Sequence, residues 1–505
     1  MLLHPSLVRG AGSAGEAGPP ALEYWPPMSK LRALRDTGWA PGAAAAAVIG
    51  AIFWALFSRA FLNYDTLYAL IWGRDLFDGR QPDYDVTLAP TPHPLATVVG
   101  ALASLLGTDG GYAVMLGLAF LSFGALLWGV FRLGQVVFTW PVGLLAALVV
   151  ATRVPFLSEA TRGYVDIPFL ALIVLGAVLE ARRPRRGWPV LTLLALAGLL
   201  RPEAWLLAGA YWLYLVPSLD RGEKLLTLSL VAAAPLLWAL SDLVVTGDPF
   251  HSLSGTRDTA ETLNRPHGIG EVPETMPRRL GEILRLPVLI GGTTGFFLAG
   301  YVARAQAFVP IALALLGGLA FIALGFADLP LIGRYLLLPA AMLAIFFAYS
   351  VFGWRDREPN RERRLWSIGA VVLAVLFIAF LPANLRGLDG MRDGVELRGR
   401  IQDDLRSLAQ SSGTASLMKR CMPIYVPNHR PVPILAYYLN RRPDQIVSAQ
   451  LEQPRQGVFV APATTEVKTK FVLDPHDPKR LEAAVPSDFQ RVGGNRSWLV
   501  YEKGC

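Results

Sequence analysis

Charged side chains lie at the ends of several long apolar runs in this 505-residue chain. Asp65 directly follows the first run, Asp166 precedes a later one, and Arg201 separates two others. A carboxylate can accept the proton of a hydroxyl group, and an arginine can hold a phosphate through two parallel hydrogen bonds. Charged residues at membrane depth are costly and tend to be functional, and the arginines would suit a phosphate partner.

The stretch after the first apolar run is the richest in polar and aromatic residues. Asp65 is the first candidate functional residue, and His93 lies further on in Thr-Pro-His-Pro-Leu at 91–95. The alternative for Asp65 is a solvated helix end, or the N-cap of an amphipathic segment at 66–77. Asp83 and Asp85 could bind a cation, although they are more simply explained as loop carboxylates.

Arginine and acidic residues recur together in later segments. The arginines suit bidentate contact with phosphate. The alternative is that they extend toward the membrane surface and pair with nearby carboxylates, above all Arg201 with Glu203. These further candidates, in chain order, are Arg153, Glu159, Arg162, Asp166, Arg201 with Glu203, and Arg334 with Tyr335.

The elements that position these residues are predicted to be membrane-spanning helices. The chain is 53% hydrophobic and only 17% charged, which excludes an ordinary soluble enzyme. Its 47 Lys and Arg against 39 Asp and Glu lie mostly between apolar runs, so the basic excess indicates membrane topology and not nucleic-acid binding. About eleven spans are predicted, near 41–60, 112–131, 140–156, 167–180, 188–200, 203–217, 225–245, 286–303, 307–326, 331–350 and 366–383.

The distribution of Lys and Arg predicts the orientation of these spans. Basic residues concentrate in alternate connecting segments, which the positive-inside rule assigns to the cytoplasm. The N-terminus is therefore predicted inside, with outer loops at 61–111 and 246–284 and everything after 384 outside. The run 94–106 is too short to span easily, so an interfacial helix is expected there.

The two ends of the chain are predicted to differ from the apolar middle. Residues 1–40 form a cytoplasmic tail that we expect to be disordered, without the apolar segment of a signal peptide and with Met28 as the expected initiator. Residues 385–505 form a small extracytoplasmic α/β domain. It is predicted to contain a helix at 395–410 and β-runs at 423–426, 457–461, 470–473 and 497–501.

The chain has two cysteines, Cys421 and Cys505, and both lie in this C-terminal domain. A disulfide is expected in an oxidising outer compartment, and the alternative is two unrelated free thiols. Neither cysteine has the spacing of a zinc ligand set.

The order of these motifs resembles that of the GT-C glycosyltransferases, in particular the protein O-mannosyltransferases and the bacterial lipid-A sugar transferases. The matching pieces are Asp65 and the segments 91–95, 161–166, 200–204 and 333–337, within residues 41–350 of a transmembrane domain predicted at 41–384. The chain departs from the mannosyltransferase pattern at Thr66, where that family has Glu, and at His93, which interrupts a Pro-Pro pair.

The resemblance implies a transfer of a hexose or pentose from a polyprenyl-phosphate sugar to a hydroxyl group of a glycan, lipid or protein. It implies a single inverting displacement with Asp65 as general base, a cation-stabilised phosphate leaving group, and no general acid. Candidates for the donor phosphate are His93, Arg162, Arg201 and Arg334. Asp166 and Glu159 are candidates for acceptor or metal contact, and the resemblance leaves a divalent metal open.

Two other functions are weighed against this one. A transporter or flippase would carry repeated halves and ionisable residues at span centres, and neither is seen in the sequence. A non-catalytic membrane scaffold would use its C-terminal domain to bind the cell wall. The alanine-rich composition with Arg in excess of Lys suggests a GC-rich bacterium, and therefore a plasma-membrane location.

Overall fold

The computed structural model describes residues 39–473 and 484–505, so the expectations for the N-terminal tail and for Met28 lie outside the described residues. Nineteen α-helices are found in these ranges. The first ten are α1 (Trp39–Leu56), α2 (Tyr64–Phe77), α3 (Pro94–Ser104), α4 (Gly107–Val137), α5 (Trp140–Thr152), α6 (Val154–Thr161), α7 (Asp166–Arg182), α8 (Trp188–Gly198), α9 (Glu203–Leu215) and α10 (Arg221–Thr246). The others are α11 (His251–Thr262), α12 (Val272–Val302), α13 (Phe308–Phe326), α14 (Leu337–Phe352), α15 (Arg361–Ala379), α16 (Leu381–Gln410), α17 (Ser412–Arg420), α18 (Val432–Leu439) and α19 (Thr465–Val467).

Each of the eleven apolar runs coincides with a helix, and the predicted class of a polytopic helical protein with a small C-terminal sheet is confirmed. Within the described ranges, five helical segments are long and apolar enough to cross a membrane. Counting two bent pairs, α5 with α6 and α15 with α16, raises this to seven. The figure of eleven spans, the orientation and the outer location of the C-terminal domain stay predictions.

The core of the helical domain is built around α14. Nearly every residue of α14 is buried, because it is apolar on all sides and is surrounded by α5, α12 and α13. By contrast, α10 is apolar yet exposes large side chains such as Leu225 and Val244. An exposed apolar face of this kind is suited to lipid.

Helices α2 and α3 cross at unusually close range, and this contact positions the segment 61–111. A Cβ atom on Gly100 would lie 2.5 Å from the carbonyl oxygen of Ala69, and one on Gly73 would overlap the backbone at Ala101. Only glycine allows two helix backbones to approach this closely. The run predicted as an interfacial helix at 94–106 is the short helix α3.

The N-cap of α2 is Asn63 and not Asp65, so that alternative for Asp65 is wrong. The Asn63 side chain accepts a hydrogen bond from the Thr66 amide at 3.1 Å. An extended residue whose side-chain oxygen reaches the third following amide is a typical cap. Asp65 falls in the first turn, and its carboxylate is therefore available for other contacts.

The C-terminal part contains a five-stranded sheet with the order β2-β1-β3-β5-β4. Strand β1 pairs in parallel with β2 and β3, whereas β5 pairs antiparallel with β3 and β4. A disulfide joins Cys421, before β1, to Cys505. The strands are β1 (Ile424–Val426), β2 (Ile446–Ser448), β3 (Gly457–Pro462), β4 (Gln490–Gly494) and β5 (Trp498–Lys503).

Three of the four predicted β-runs are confirmed, as β1, β3 and β5, whereas the run at 470–473 is wrong. Residues 468–472 form a helical turn that buries Phe471 and Val472, and a short apolar run does not distinguish strand from helix. The sequence did not predict β2 or β4. Strand β2 has only three residues and β4 is mostly exposed, so neither shows the alternation of apolar and polar residues that marks a strand. The predicted helix at 395–410 is part of the longer α16.

The C-terminal part contacts the helical domain through α2. Arg74 donates hydrogen bonds to the carbonyl oxygens of Tyr437 at 3.0 Å and Arg441 at 3.3 Å. These carbonyls lie at the carboxyl end of α18, where a cation satisfies unpaired acceptors and complements the helix dipole. The contact ties α2 to the C-terminal sheet domain.

The Gly73→Val substitution should separate α2 from α3 and lower stability by about 1–3 kcal/mol or more, because the new side chain overlaps the α3 backbone. Thermal unfolding of the detergent-solubilised protein measures this. Gly209→Ala on α9 is the matched control, since nothing lies within 4 Å of a Cβ there. Equal melting temperatures for Gly73→Val and wild type would contradict the close crossing.

Candidate functional site

A cavity of about 730 Å³ lies where α2 and the segment after it, helices α9, α10, α11 and α13, and the C-terminal part meet. Six of the seven residues that the sequence predicts for the catalytic, donor or acceptor contacts line this one cavity. Glu159 is the exception. The six are Asp65, His93, Arg162, Asp166, Arg201 and Arg334.

Asp65 is held at the cavity by the way α2 is anchored. The Asn63 side chain donates to the carbonyl oxygen of Arg162 at 2.9 Å, and the Thr66 hydroxyl donates to that of Gly163 at 2.7 Å. These bonds fix the first turn of α2 against the turn between α6 and α7. The Asp65 side chain is 18% exposed, so it can meet a substrate in the cavity.

Arg334 pairs with Asp65 across 269 residues of sequence. Its Nη1 atom lies 3.3 Å from Asp65 Oδ2 and 4.0 Å from Asp166 Oδ2. The guanidinium also lies over the ring of Tyr164, 4.9 Å from its centroid. Such a contact holds a cation in place while leaving some of its donors for a ligand.

Arg201 is held more tightly than Arg334. It pairs with Asp166, donates two hydrogen bonds to Glu203 at 2.6 and 3.3 Å, and lies 4.2 Å from the ring centroid of Tyr335. The pairing with Glu203 agrees with the alternative interpretation of this arginine. Two carboxylates therefore engage Arg201 at hydrogen-bonding distance, whereas Arg334 has Asp65 at 3.3 Å and Asp166 only at 4.0 Å.

Arg162 and Glu159 form the third ion pair, at 2.9 Å, with Arg162 also over the Tyr164 ring. The three arginines thus alternate with two tyrosines, and four carboxylates border them. We call this set the arginine ladder: Asp65, Glu159, Arg162, Tyr164, Asp166, Arg201, Glu203, Arg334 and Tyr335. Glu159 does not line the large cavity but a neighbouring pocket of about 120 Å³, which reaches the other side of Arg334.

His93 lines the cavity as an uncharged side chain. Burial lowers its pKa from 6.5 to about 4, despite the opposing influence of Asp65. At neutral pH the imidazole carries no charge, and so it adds no electrostatic attraction for a phosphate.

Two other predicted candidates lie away from the cavity. Arg153 is buried and donates to the Leu284 carbonyl and the Asn384 side chain, both at 3.2 Å, so it ties α5 to α12 and α16. Asp83 pairs with Arg442 of the C-terminal part at 3.1 Å. Across 39–473 and 484–505, no three His, Cys, Asp or Glu residues come together as a group able to hold a metal ion.

The sequence did not point to the residues that form the rest of the cavity wall. Trp205 and Trp238 contribute from α9 and α10, and they look like ordinary span residues in the sequence. The C-terminal part also contributes a group of residues to the cavity wall. No local motif marks these residues, because they reach the cavity only through the packing of α16 and α18. This group is Arg398, Gln402, His429, Arg430, Ile434 and Phe471.

Other solved structures share the fold of this chain. ArnT from Cupriavidus metallidurans, solved bound to undecaprenyl phosphate, matches with a TM-score of 0.52 and 16% identity over 92% of this chain and 98% of that chain. The oligosaccharyltransferase of Archaeoglobus fulgidus, tethered to an acceptor peptide, matches with a TM-score of 0.52 and 12% identity over 93% of this chain and 74% of that chain.

Both neighbours are GT-C proteins, so the predicted resemblance is confirmed and this chain has the GT-C fold. At these identities the likeness establishes the fold. No protein-family model matches the sequence, and the comparison with curated proteins found no match.

The Arg201→Ala substitution should cost about 3–5 kcal/mol of stability, because it leaves Asp166 and Glu203 buried without their cation. Thermal or denaturant unfolding in detergent measures the loss. Arg278→Ala is the control, since its pair with Glu274 is exposed and is worth about 1 kcal/mol or less. Similar losses in the two variants would show that Arg201 is not the central cation of the ladder.

Proposed function

We propose that this chain is an integral membrane glycosyltransferase that moves a sugar from a polyprenyl-phosphate donor to an acceptor hydroxyl on the outer face of the plasma membrane. The observation that carries the proposal is the pairing of a partly exposed carboxylate, Asp65, with Arg334 in a large cavity of a GT-C fold. The proposal includes a cytoplasmic N-terminus and an extracytoplasmic C-terminal domain.

A lipid-linked donor suits the two kinds of surface in the cavity. The ladder provides cations for a phosphate, whereas α9, α10 and α13 provide an apolar wall for a hydrocarbon chain. That wall consists of Leu206, Pro235, Ala239, Ala320, Ala323 and Leu324. The neighbour ArnT was solved with undecaprenyl phosphate, which supports the same class of lipid here.

In the proposed reaction, Asp65 accepts the proton of the acceptor hydroxyl as its oxygen bonds to the sugar C1. The bond between C1 and the phosphate oxygen breaks at the same time, with inversion, and its electron pair leaves with the lipid phosphate. Arg334, with Arg162 beside it, stabilises the charge that develops on that phosphate. One carboxylate suffices because the phosphate needs no protonation to leave.

Asp65 suits the base better than the other carboxylates of the ladder. Asp166 is only 3% exposed and pairs with Arg201, and Glu203 is also engaged by Arg201. We assign acceptor contact to Asp166, which lines the cavity, whereas Glu159 lines the neighbouring pocket and pairs with Arg162. Sugar-transfer assays determine the acceptor class (glycan, lipid or protein) and whether a divalent metal takes part.

The Asp65→Asn substitution should keep the fold and reduce sugar transfer by about two to four orders of magnitude, because an amide cannot accept the proton. Purified protein in lipid nanodiscs, supplied with labelled polyprenyl-phosphate sugars and candidate acceptors, provides the measurement. Asp85→Asn is the matched control, since this exposed carboxylate lies in the loop after α2 and does not line the cavity. Turnover at the wild-type rate in Asp65→Asn would end the assignment of Asp65 as base.

Replacing Arg334 by Ala should weaken donor binding and raise KM for the donor more than it lowers kcat, because the donor phosphate loses a cation. Steady-state kinetics at saturating acceptor separates the two constants. Arg304→Ala, at an exposed site outside the cavity, is the control. An unchanged KM would mean that Arg334 only supports the position of Asp65.

A further inference from the structure

A second group of side chains lines the cavity without joining the arginine ladder. It consists of His93, Trp205 and Trp238, with Trp238 in the middle. The Trp238 ring meets the Trp205 ring at 5.7 Å and 82°, and the His93 ring at 5.9 Å and 85°. We call these three residues the aromatic corner.

The indole nitrogens of the corner are satisfied by the protein. Trp238 Nε1 donates to Ser252 Oγ at 3.0 Å, and Trp205 Nε1 donates to the Gly198 carbonyl oxygen at 3.0 Å. Ser252 in turn donates from its hydroxyl and its amide to the two oxygens of the buried Asp242. The two indoles are therefore fixed in orientation, and what Trp205 presents to the cavity is apolar ring surface.

His93 supplies a hydrogen-bonding group that no protein atom uses. Its Nδ1 is buried and has no hydrogen-bond partner among the described residues, and a buried polar atom of this kind calls for a partner. His93 lines the same cavity as Asp65 and Arg334. The hydroxyls of Thr91 and Thr256, 2.6 Å apart, line the same cavity.

This combination matches the surface of a sugar ring. A sugar presents an apolar face of C–H groups, which packs on aromatic rings, and a rim of hydroxyls, which need neutral donors and acceptors at close range. A phosphate would instead require cations, and a hydrocarbon chain would leave the imidazole nitrogen unpaired. Neither indole is charged, and Asp242 is engaged by Ser252.

We propose that the aromatic corner is the subsite for the sugar of the donor, with Trp205 under the ring and His93 bonded to a hydroxyl, and that it accepts an uncharged sugar. This inference rests on the proposed function. It assigns His93 to the sugar, whereas the sequence pattern assigned it to the phosphate. Trp205 and His93 are then the residues that determine which sugar is transferred.

The test compares a lipid with and without its sugar. Wild type, His93→Ala, His93→Gln and Trp205→Ala are reconstituted in nanodiscs. Binding is measured for undecaprenyl phosphate and for a panel of undecaprenyl-phosphate sugars, which includes neutral hexoses and pentoses, an amino sugar and a uronic acid. Turnover is followed with the same panel. Controls are His267→Ala and Trp188→Ala, neither of which lines the cavity.

We expect His93→Ala and Trp205→Ala to bind the sugar-free lipid within about twofold of wild type, and to bind the neutral sugar donor about tenfold more weakly, as the loss of one buried hydrogen bond or one ring contact predicts. His93→Gln, which keeps a hydrogen-bonding group, should recover part of the loss. The controls should bind both lipids as wild type does.

Four results would overturn the inference. Equal losses for both lipids would place the corner at the phosphate or the hydrocarbon chain. Wild-type binding of the sugar donor by His93→Ala and Trp205→Ala, or use of only the charged sugars by wild type, would remove the sugar subsite while leaving the transferase in place. If wild type consumes no member of the panel, both the proposed function and the subsite fail.

Discussion

The burial of Arg201 is the constraint on which the rest of the site depends. A guanidinium this far from water is stable only when carboxylates surround it, and Asp166 and Glu203 do so from two different helices. The second oxygen of Asp166 and the ring of Tyr335 then lie beside Arg334, and Arg334 pairs with Asp65. Charge pairing in a poorly solvated space thus orders four segments that are far apart in the sequence.

The helical domain could be predicted well because its signal is local. A run of apolar residues long enough for a membrane is a property of one segment, and all eleven runs are helical. The C-terminal domain was harder, since its strands are short and get their stability from neighbours along the sheet. The segment 468–472 illustrates this, because burial of Phe471 and Val472 does not require a strand.

The site was predictable in part for the same reason. Asp65, Asp166 and Arg334 stand out because charge next to an apolar run is unusual in any single segment. Tyr164 and Tyr335 fall within predicted motifs, but their contacts with the arginines become visible only in the tertiary structure. Trp205 and the residues from α16 and α18 required the tertiary structure, since nothing in a sequence states which distant elements share a cavity.

The hydrogen bonds from Arg74 to the end of α18 have a mechanical consequence. Arg74 lies nine residues after Asp65 on the same helix, about 14 Å along its axis. A helix of this length is stiff, so a displacement of one end moves the other end by almost the same distance. Reacting atoms tolerate errors in their position of about 1 Å or less. The position of Asp65 at one end of α2 therefore depends on how firmly the C-terminal domain holds Arg74 near the other end.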